Sequence, residues 1–380
     1  MVFSCFVRLE ELLTTTEPRF YRPELDVLRL VAFLLVFMRH SPFGGSRLLN
    51  LAHDAGASGV GVFFLLSAYL ITELLEREDS RTGSIHLGSF YVRRMLRIWP
   101  LYFAVLAADF LLQHFLHPGL FTAARLAAFV FLIGNWYTTV HGMINTLSLP
   151  LWSISVEEQF YLLWPSVRKY LGRSGSMIFS IAILIFAFIA LAFAWHVFNH
   201  QTLGLWNSFI QFQFFSTGAL LALILKGRTP RFHPATRVLL LVLSAAGLIA
   251  AQFFFETSGH SIPQRYELQV AGYALQNLAC MVLFLSFLGE ERIGAHRFLV
   301  YLGKISYGLY VFHLGAIHAI EFLDVYLTSH ASSSFRPSAV VDIPTSLALT
   351  ILIASLSYRY FEAPILRYKK RFERIRTRPV

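Results

Sequence analysis

Apolar stretches long enough to cross a lipid bilayer recur along almost the whole of this sequence, and that recurrence limits its fold class before any motif is read. Eleven lie at about residues 28–43, 56–75, 98–116, 122–140, 152–168, 177–198, 206–225, 237–255, 268–288, 304–325 and 343–361, judged against the roughly 20 residues that a helix needs to span the hydrocarbon core. The bilayer supplies no water to backbone N–H and C=O groups, so segments of this kind cross it as helices. Hydrophobic residues make up 56% of the 380 and charged residues only 14%, with a mean hydropathy of +0.57. That balance excludes an ordinary soluble domain and a disordered chain. Cys5 and Cys280 have no spacing that resembles a disulfide framework or a zinc site. No metal-ligand cluster, nucleophile elbow or dinucleotide fingerprint appears.

The net charge of +10 informs through its placement, because Lys and Arg concentrate in cytoplasmic loops of membrane proteins. Nucleic-acid binding is therefore not implied. Basic clusters lie at Arg8/Arg19/Arg22, Arg77/Arg81/Arg93/Arg94/Arg97, Arg168/Lys169/Arg173, Lys226/Arg228/Arg231, Arg292/Arg297, and from Arg367 to Arg378. If all eleven stretches crossed, these clusters would alternate sides. Ten crossings keep them all on one side, with 122–140, which holds Thr122, Arg125 and Asn135, as a re-entrant or oblique piece packed in protein. The expected fold is an all-α polytopic membrane protein of about ten transmembrane helices plus that one re-entrant or oblique helix, with both termini cytoplasmic. Arg8, Glu10 and Glu11 interrupt the first residues, so the first span is expected to serve as the targeting signal.

Against this background a few polar residues need explaining. Arg29 and His40 lie eleven residues apart in the first span, close to three helical turns, hence on one face and about 16 Å apart. An ionisable residue in a span normally faces protein or a water-filled cavity, although His40 at an interface beside a snorkelling Arg39 is the plainer alternative. FYVRRMLRIWPLY puts Arg93, Arg94 and Arg97 at the entrance of the third span. They serve either as an interfacial anchor with Trp99 and Tyr102 or as a guanidinium clamp for phosphates. Glu157 and Glu158 occupy the first turn of an otherwise apolar helix, where the dipole favours acidic groups. At the same membrane level as His40, one of them would also suit orienting an imidazole for general-base work. His313 falls near mid-membrane, after Lys304, Ser306, Tyr307 and Tyr310, where a neighbouring helix often satisfies a single polar residue.

In this order the motifs RPELDVLRLVAFLLVFMRH, GVGVFFLLSAYLIT, FYVRRMLRIWPLY, WSISVEEQFYLLWP, GKISYGLYVFH and SYRYFEAP, which run from residue 22 to 364, resemble the acyltransferase 3 family of integral-membrane O-acyltransferases. The resemblance implies an acyl-CoA co-substrate, usually acetyl-CoA, reached from the cytoplasm. It implies an acceptor hydroxyl on a carbohydrate or lipid-linked sugar outside it, and residence in a bacterial inner (cytoplasmic) membrane. By position His40 matches the family's essential histidine and Arg29 its partner. Arg93, Arg94 and Arg97 match the arginine motif associated with the donor, and Glu157 and Glu158 the acidic pair. Ser67, Tyr69, Trp152, Ser155, Tyr307, His313 and Glu362 fall in the family's signatures as second-tier positions. The domain reading that follows is a cytoplasmic segment 1–27, one transmembrane acyltransferase domain 28–364, and a basic cytoplasmic tail 365–380. The chain departs from the family pattern at Gly61, where members often carry Asp, and at Val27 and Leu30, where they often carry Gly. The rival readings are a secondary transporter or flippase, which also buries polar residues among many spans, and a membrane scaffold that would tolerate loss of His40.

Overall fold

The computed structural model of the chain describes residues 20–42, 46–117, 119–197, 206–255, 266–330, 339–375 and 377. Cys5, Arg8, Arg19, Arg376 and Arg378 lie outside the described residues. Among those described, every regular element is helical and there is no strand. The helices are α1 (Pro23–His40), α2 (Arg47–Ala55), α3 (Ser58–Thr82), α4 (Leu87–Leu116), α5 (Ala123–Val130), α6 (Gly134–His141), α7 (Leu151–Val197), α8 (Ser208–Leu225), α9 (Pro234–Phe255), α10 (Tyr266–Phe287), α11 (Glu291–Gly294), α12 (Arg297–Lys304), α13 (Ser306–His330) and α14 (Ala339–Ser357). A π turn (Tyr358–Glu362), α15 (Ala363–Tyr368) and a 3-10 turn (Lys369–Phe372) follow.

Eight helical stretches among the described residues are long and apolar enough to cross a membrane. One of them, Leu151–Ala194, is two spans end to end: Gly172 takes φ 63° and ψ −168°, so the axis turns there within α7. α1 is excluded from the eight by its own charges, yet its 18 residues reach about 27 Å, close to the hydrocarbon thickness. With α1 added and α7 divided at Gly172, ten helical stretches among the described residues are long enough to cross, in line with the expected ten. Large apolar side chains stand exposed on the outward faces, among them Ile178, Ile185, Val238, Val242, Phe322 and Leu352, as lipid contact requires. The chain is a multi-pass membrane protein.

Residues 122–140 do not cross. They form α5 and α6, eight residues each, too short to span, and reverse at Leu132 with φ 59°. Side chains satisfy the reversal from within the protein. Gln159 donates to the Leu132 carbonyl and to Asn135 Oδ1, both at 2.9 Å, and buried Asn135 donates to Ser208 Oγ at 2.8 Å and the Trp206 carbonyl at 2.9 Å. Irregular backbone at membrane depth is tolerated under this condition.

The centre is α3 packed between α1 and α8. A Cβ on Gly218 would lie 2.0 Å from the Leu65 carbonyl oxygen, and one on Gly303 of α12 would lie 1.8 Å from that of Asp26, so these backbones touch. Phe64, Phe160 and Phe215 stack across the α3–α7–α8 junction with centroids 4.4 to 4.5 Å apart. At one end of the bundle the basic clusters are tied together. Arg22 pairs with Glu73 at 2.7 Å and donates to the Gly227 carbonyl at 3.2 Å. Arg168 pairs with Glu76 and Asp79, Arg173 with Glu76, and Arg237 donates to the Ser286 carbonyl at 2.6 Å. The described basic clusters thus share one face.

Candidate active site

α1 begins with Pro23 in its first turn, carries Glu24 and Asp26 near the positive end of its dipole, and ends with Arg39 and His40 near the negative end. Its two ends are the two ends of the site.

At the first end, a cavity of about 180 Å³ lies between α1, α3, α4, α7 and α13. Arg29, Arg93, Arg94 and Arg97 all line it, with Asp26, Ser67, Glu157, Tyr161, Tyr307 and Tyr310. The arginines are held differently. Arg29 is ion-paired with Asp26, whose second oxygen accepts from Tyr21 Oη at 2.9 Å. Arg94 lies over the rings of Tyr161 and Phe90, 5.2 and 5.5 Å from their centroids. Arg93 is only 5% exposed; it pairs with Glu78 at 3.2 Å and donates to the Phe372 carbonyl at 2.6 Å.

Glu157 faces the cavity and accepts from Ser67 Oγ at 2.5 Å and from Tyr161 Oη. Glu158 turns away and accepts from Trp99 Nε1 at 2.9 Å. Neighbouring helical residues point about 100° apart, so one helix turn cannot send both carboxylates to one place. Among the described residues neither carboxylate reaches His40; the expected carboxylate–imidazole pairing is not formed. His313 takes that position.

His313 lies fully buried in α13, its Nδ1 2.6 Å from the Tyr310 carbonyl and its Nε2 3.2 Å from His40 Nδ1. His40 Nδ1 also lies 2.9 Å from the Val36 carbonyl. The network assigns both tautomers. A carbonyl only accepts, so His313 Nδ1 carries the proton and its Nε2 has a lone pair. His40 Nδ1 faces two acceptors and carries its own proton, which leaves the lone pair of His40 on Nε2, at an exposed edge. Tyr310 joins the two ends of the site. It lines the cavity, stacks edgewise on Phe63 at 5.8 Å, and exchanges a 2.7 Å hydrogen bond with Ser153 Oγ.

The other expected positions divide. Ser67 and Tyr307 line the cavity, the latter donating to the Ile98 carbonyl at 2.8 Å. Tyr69, two residues from Ser67 and so on another face of α3, packs on Phe284 in the core at 4.7 Å. Trp152 packs against the core, and Ser155 donates to the Leu151 carbonyl at 3.3 Å. Glu362 closes the π turn, accepts from Ser357 Oγ at 3.3 Å and backs onto Gly308. Gly61 is filled by its neighbour: a Cβ there would meet the Phe214 ring at 2.8 Å. The aromatic ring occupies the room that the family's usual side chain would need. Sequence reasoning gave no role to Asp26, Tyr161 or Lys369, although the first two are signalled by their spacing, three residues before Arg29 and four after Glu157.

The acyltransferase domain model of the family, Acyl_transf_3, matches residues 22–359. The chain belongs to the acyltransferase 3 family. Among family relatives, the peptidoglycan O-acetyltransferase OatA of Listeria monocytogenes is 26% identical over 396 aligned residues, covering 93% of this chain and 57% of the relative. The O-acetyltransferase OatA of Staphylococcus aureus is 26% identical over 377, covering 95% and 59%. The chain therefore spans somewhat under three fifths of the length of these relatives. No solved structure matches it.

Proposed function

We propose that this protein is an integral-membrane O-acetyltransferase, moving an acetyl group from acetyl-CoA to a hydroxyl of a cell-envelope carbohydrate, as the name of its Listeria monocytogenes relative suggests for peptidoglycan. The observation that carries the reading is the pairing of an arginine-walled cavity with a histidine whose Nε2 lone pair is fixed by the Val36 carbonyl and a second, buried histidine. A permeation path needs no base held in one tautomer; proton abstraction from a hydroxyl does.

In this reading Arg29, Arg94 and Arg97 engage the phosphates of the donor, a task suited to guanidinium groups. The acyl end extends past Tyr310 towards His40, consistent with the rise of about 16 Å between Arg29 and His40 along α1. His40 Nε2 takes the acceptor's proton as its oxygen forms a bond to the thioester carbonyl carbon. The carbon–sulfur bond then breaks, and the proton passes from His40 to the departing thiolate. While His40 is an imidazolium, its Nδ1–H is held by the Val36 carbonyl and by His313 Nε2. On the same reading the linked basic face is the cytoplasmic one and His40 lies towards the outside, where the acceptor would be met.

The test is transfer of radiolabelled acetyl from acetyl-CoA, supplied to the cytoplasmic face of membrane vesicles containing an envelope extract, with wild type compared to His40→Ala. Label on a glycan or lipid-linked sugar with the wild type alone supports the reading. Equal labelling by both proteins sinks the general-base role of His40, and none with either sinks the activity.

A further inference from the structure

The residues matched to the acyltransferase domain end at 359, yet the cavity does not. Lys369 and Thr377, beyond that boundary, line it together with Arg29, Arg94 and Arg97. We propose that the C-terminal turn is a wall of the donor site and that the Lys369 ammonium contacts a phosphate of the coenzyme A moiety, while Arg93 is a positioning residue that holds the turn in place. This inference rests on the donor reading given above.

The turn is docked against the bundle. Arg93, buried in α4, spends its charge on Glu78 and donates to the Phe372 carbonyl at 2.6 Å. Ile375 is 3% exposed, an apolar anchor on the same segment. Between them the chain folds back on itself: Lys369 Nζ donates to Thr377 Oγ1 at 3.0 Å and pairs with Glu373 at 3.4 Å, and Thr377 Oγ1 donates to Glu373 Oε1 at 2.9 Å. This clasp turns Lys369 towards the cavity, whereas Lys370 and Arg371 on the same turn are exposed.

The division of labour follows from burial. Stripping a buried guanidinium from its carboxylate leaves that charge uncompensated, so Arg93 is poorly placed to release Glu78 for a ligand. Lys369 is less buried than Arg93, its side chain 16% exposed against 5%, and its ammonium has three donors on a flexible stem. It can add a phosphate oxygen while keeping Glu373. An anionic lipid headgroup offers the same phosphate chemistry at this face. The donor is favoured because Lys369 lines the cavity and its neighbour Lys370 does not.

The experiment is equilibrium binding of radiolabelled CoA to the full chain in nanodiscs, made of phosphatidylcholine alone or with added phosphatidylglycerol, for wild type, Lys369→Gln and Lys370→Gln. Lys369→Gln should weaken CoA binding about three- to tenfold in phosphatidylcholine, as loss of one charge-assisted contact does. Lys370→Gln should not change it. Wild-type binding with an unchanged Lys369→Gln affinity would overturn this inference and leave the donor reading standing. A loss seen only with phosphatidylglycerol present would assign the contact to lipid and overturn it too. No CoA binding by wild type would remove the donor reading itself.

For Arg93, Arg93→Ala should raise the KM for acetyl-CoA with little change in kcat, and should add little to Lys369→Gln, because both act through one turn. Additive losses would instead make Arg93 a direct phosphate ligand.

Discussion

Replacing His313 tests the second restraint on the His40 ring without touching the proposed base. His313→Leu keeps an apolar side chain of comparable bulk in a fully buried position and deletes the acceptor 3.2 Å from His40 Nδ1. The ring keeps its 2.9 Å contact to the Val36 carbonyl, so the tautomer survives and only one of two restraints is lost. In the ground state that is a neutral hydrogen bond, worth about 1 kcal/mol. As His40 becomes an imidazolium, the same contact turns charge-assisted and rises to about 1.5–3 kcal/mol. The difference between the two states, about 0.5–2 kcal/mol, is what catalysis feels, a loss of roughly two- to thirtyfold in kcat. The KM for the donor should stay within about twofold, because His313 does not line the cavity. His313→Gln, whose amide can offer an oxygen near the position of Nε2, should recover part of the loss. The assay is initial-rate acetyl transfer in proteoliposomes at varied acetyl-CoA. Turnover by His313→Leu within twofold of wild type would refute the role given to His313, as would a loss expressed wholly in donor KM.

Other perturbations separate the two ends of the site. His40→Ala should lower turnover by about two to four orders of magnitude while CoA binding, measured in the same nanodiscs, remains as in wild type. Arg94→Ala combined with Arg97→Ala should weaken CoA at least tenfold and flatten the salt dependence of its binding, since exposed charge interactions are screened within about 10 Å at 0.1 M salt; an unmoved dissociation constant would end the phosphate assignment. Gly218→Ala forces a Cβ to within 2.0 Å of the Leu65 carbonyl and should cost about 1–3 kcal/mol by overpacking, read as an earlier thermal unfolding transition in detergent. An unchanged melting temperature would mean that α3 and α8 are not in backbone contact.

The spans were legible because they rest on one-dimensional quantities, apolar length and the side on which arginines fall. The non-crossing character of 122–140 followed from charge placement together with Thr122, Arg125 and Asn135, but its form as two short helices depends on Gln159 and Asn135 reaching Leu132 and Ser208, contacts between segments that no local pattern announces. At the site, spacing within one helix succeeded and spacing between helices failed. Arg29 and His40 mark the two ends as eleven residues of α1 require. Glu157 or Glu158 is expected beside His40 because all three share a membrane level, yet level says nothing of azimuth, and the structure turns Glu157 onto Ser67, Glu158 onto Trp99 and His40 onto His313. The place of Lys369 was hidden for a similar reason. A basic tail reads as solvated until Arg93 is seen to hold the Phe372 carbonyl.

The arrangement also explains how a chain can keep so many charges within a bundle without marking an open pore. Asp26 answers Arg29, Glu78 answers Arg93, Glu73 answers Arg22, and Glu76 answers Arg168, so insertion carries paired groups rather than isolated ones, which are far costlier in hydrocarbon. At the far end Asp54 answers Arg39, and the groups linked to His40 and Tyr310 are a second imidazole and a serine. A neutral base beyond a cationic cavity suits a reaction whose anionic phosphates must stay at one face while a proton is moved near the other. In the proposed reaction the donor's charge would then not have to follow its acetyl group across the membrane, and α1, with Arg29 at one end and His40 at the other, would set the distance over which that separation is kept.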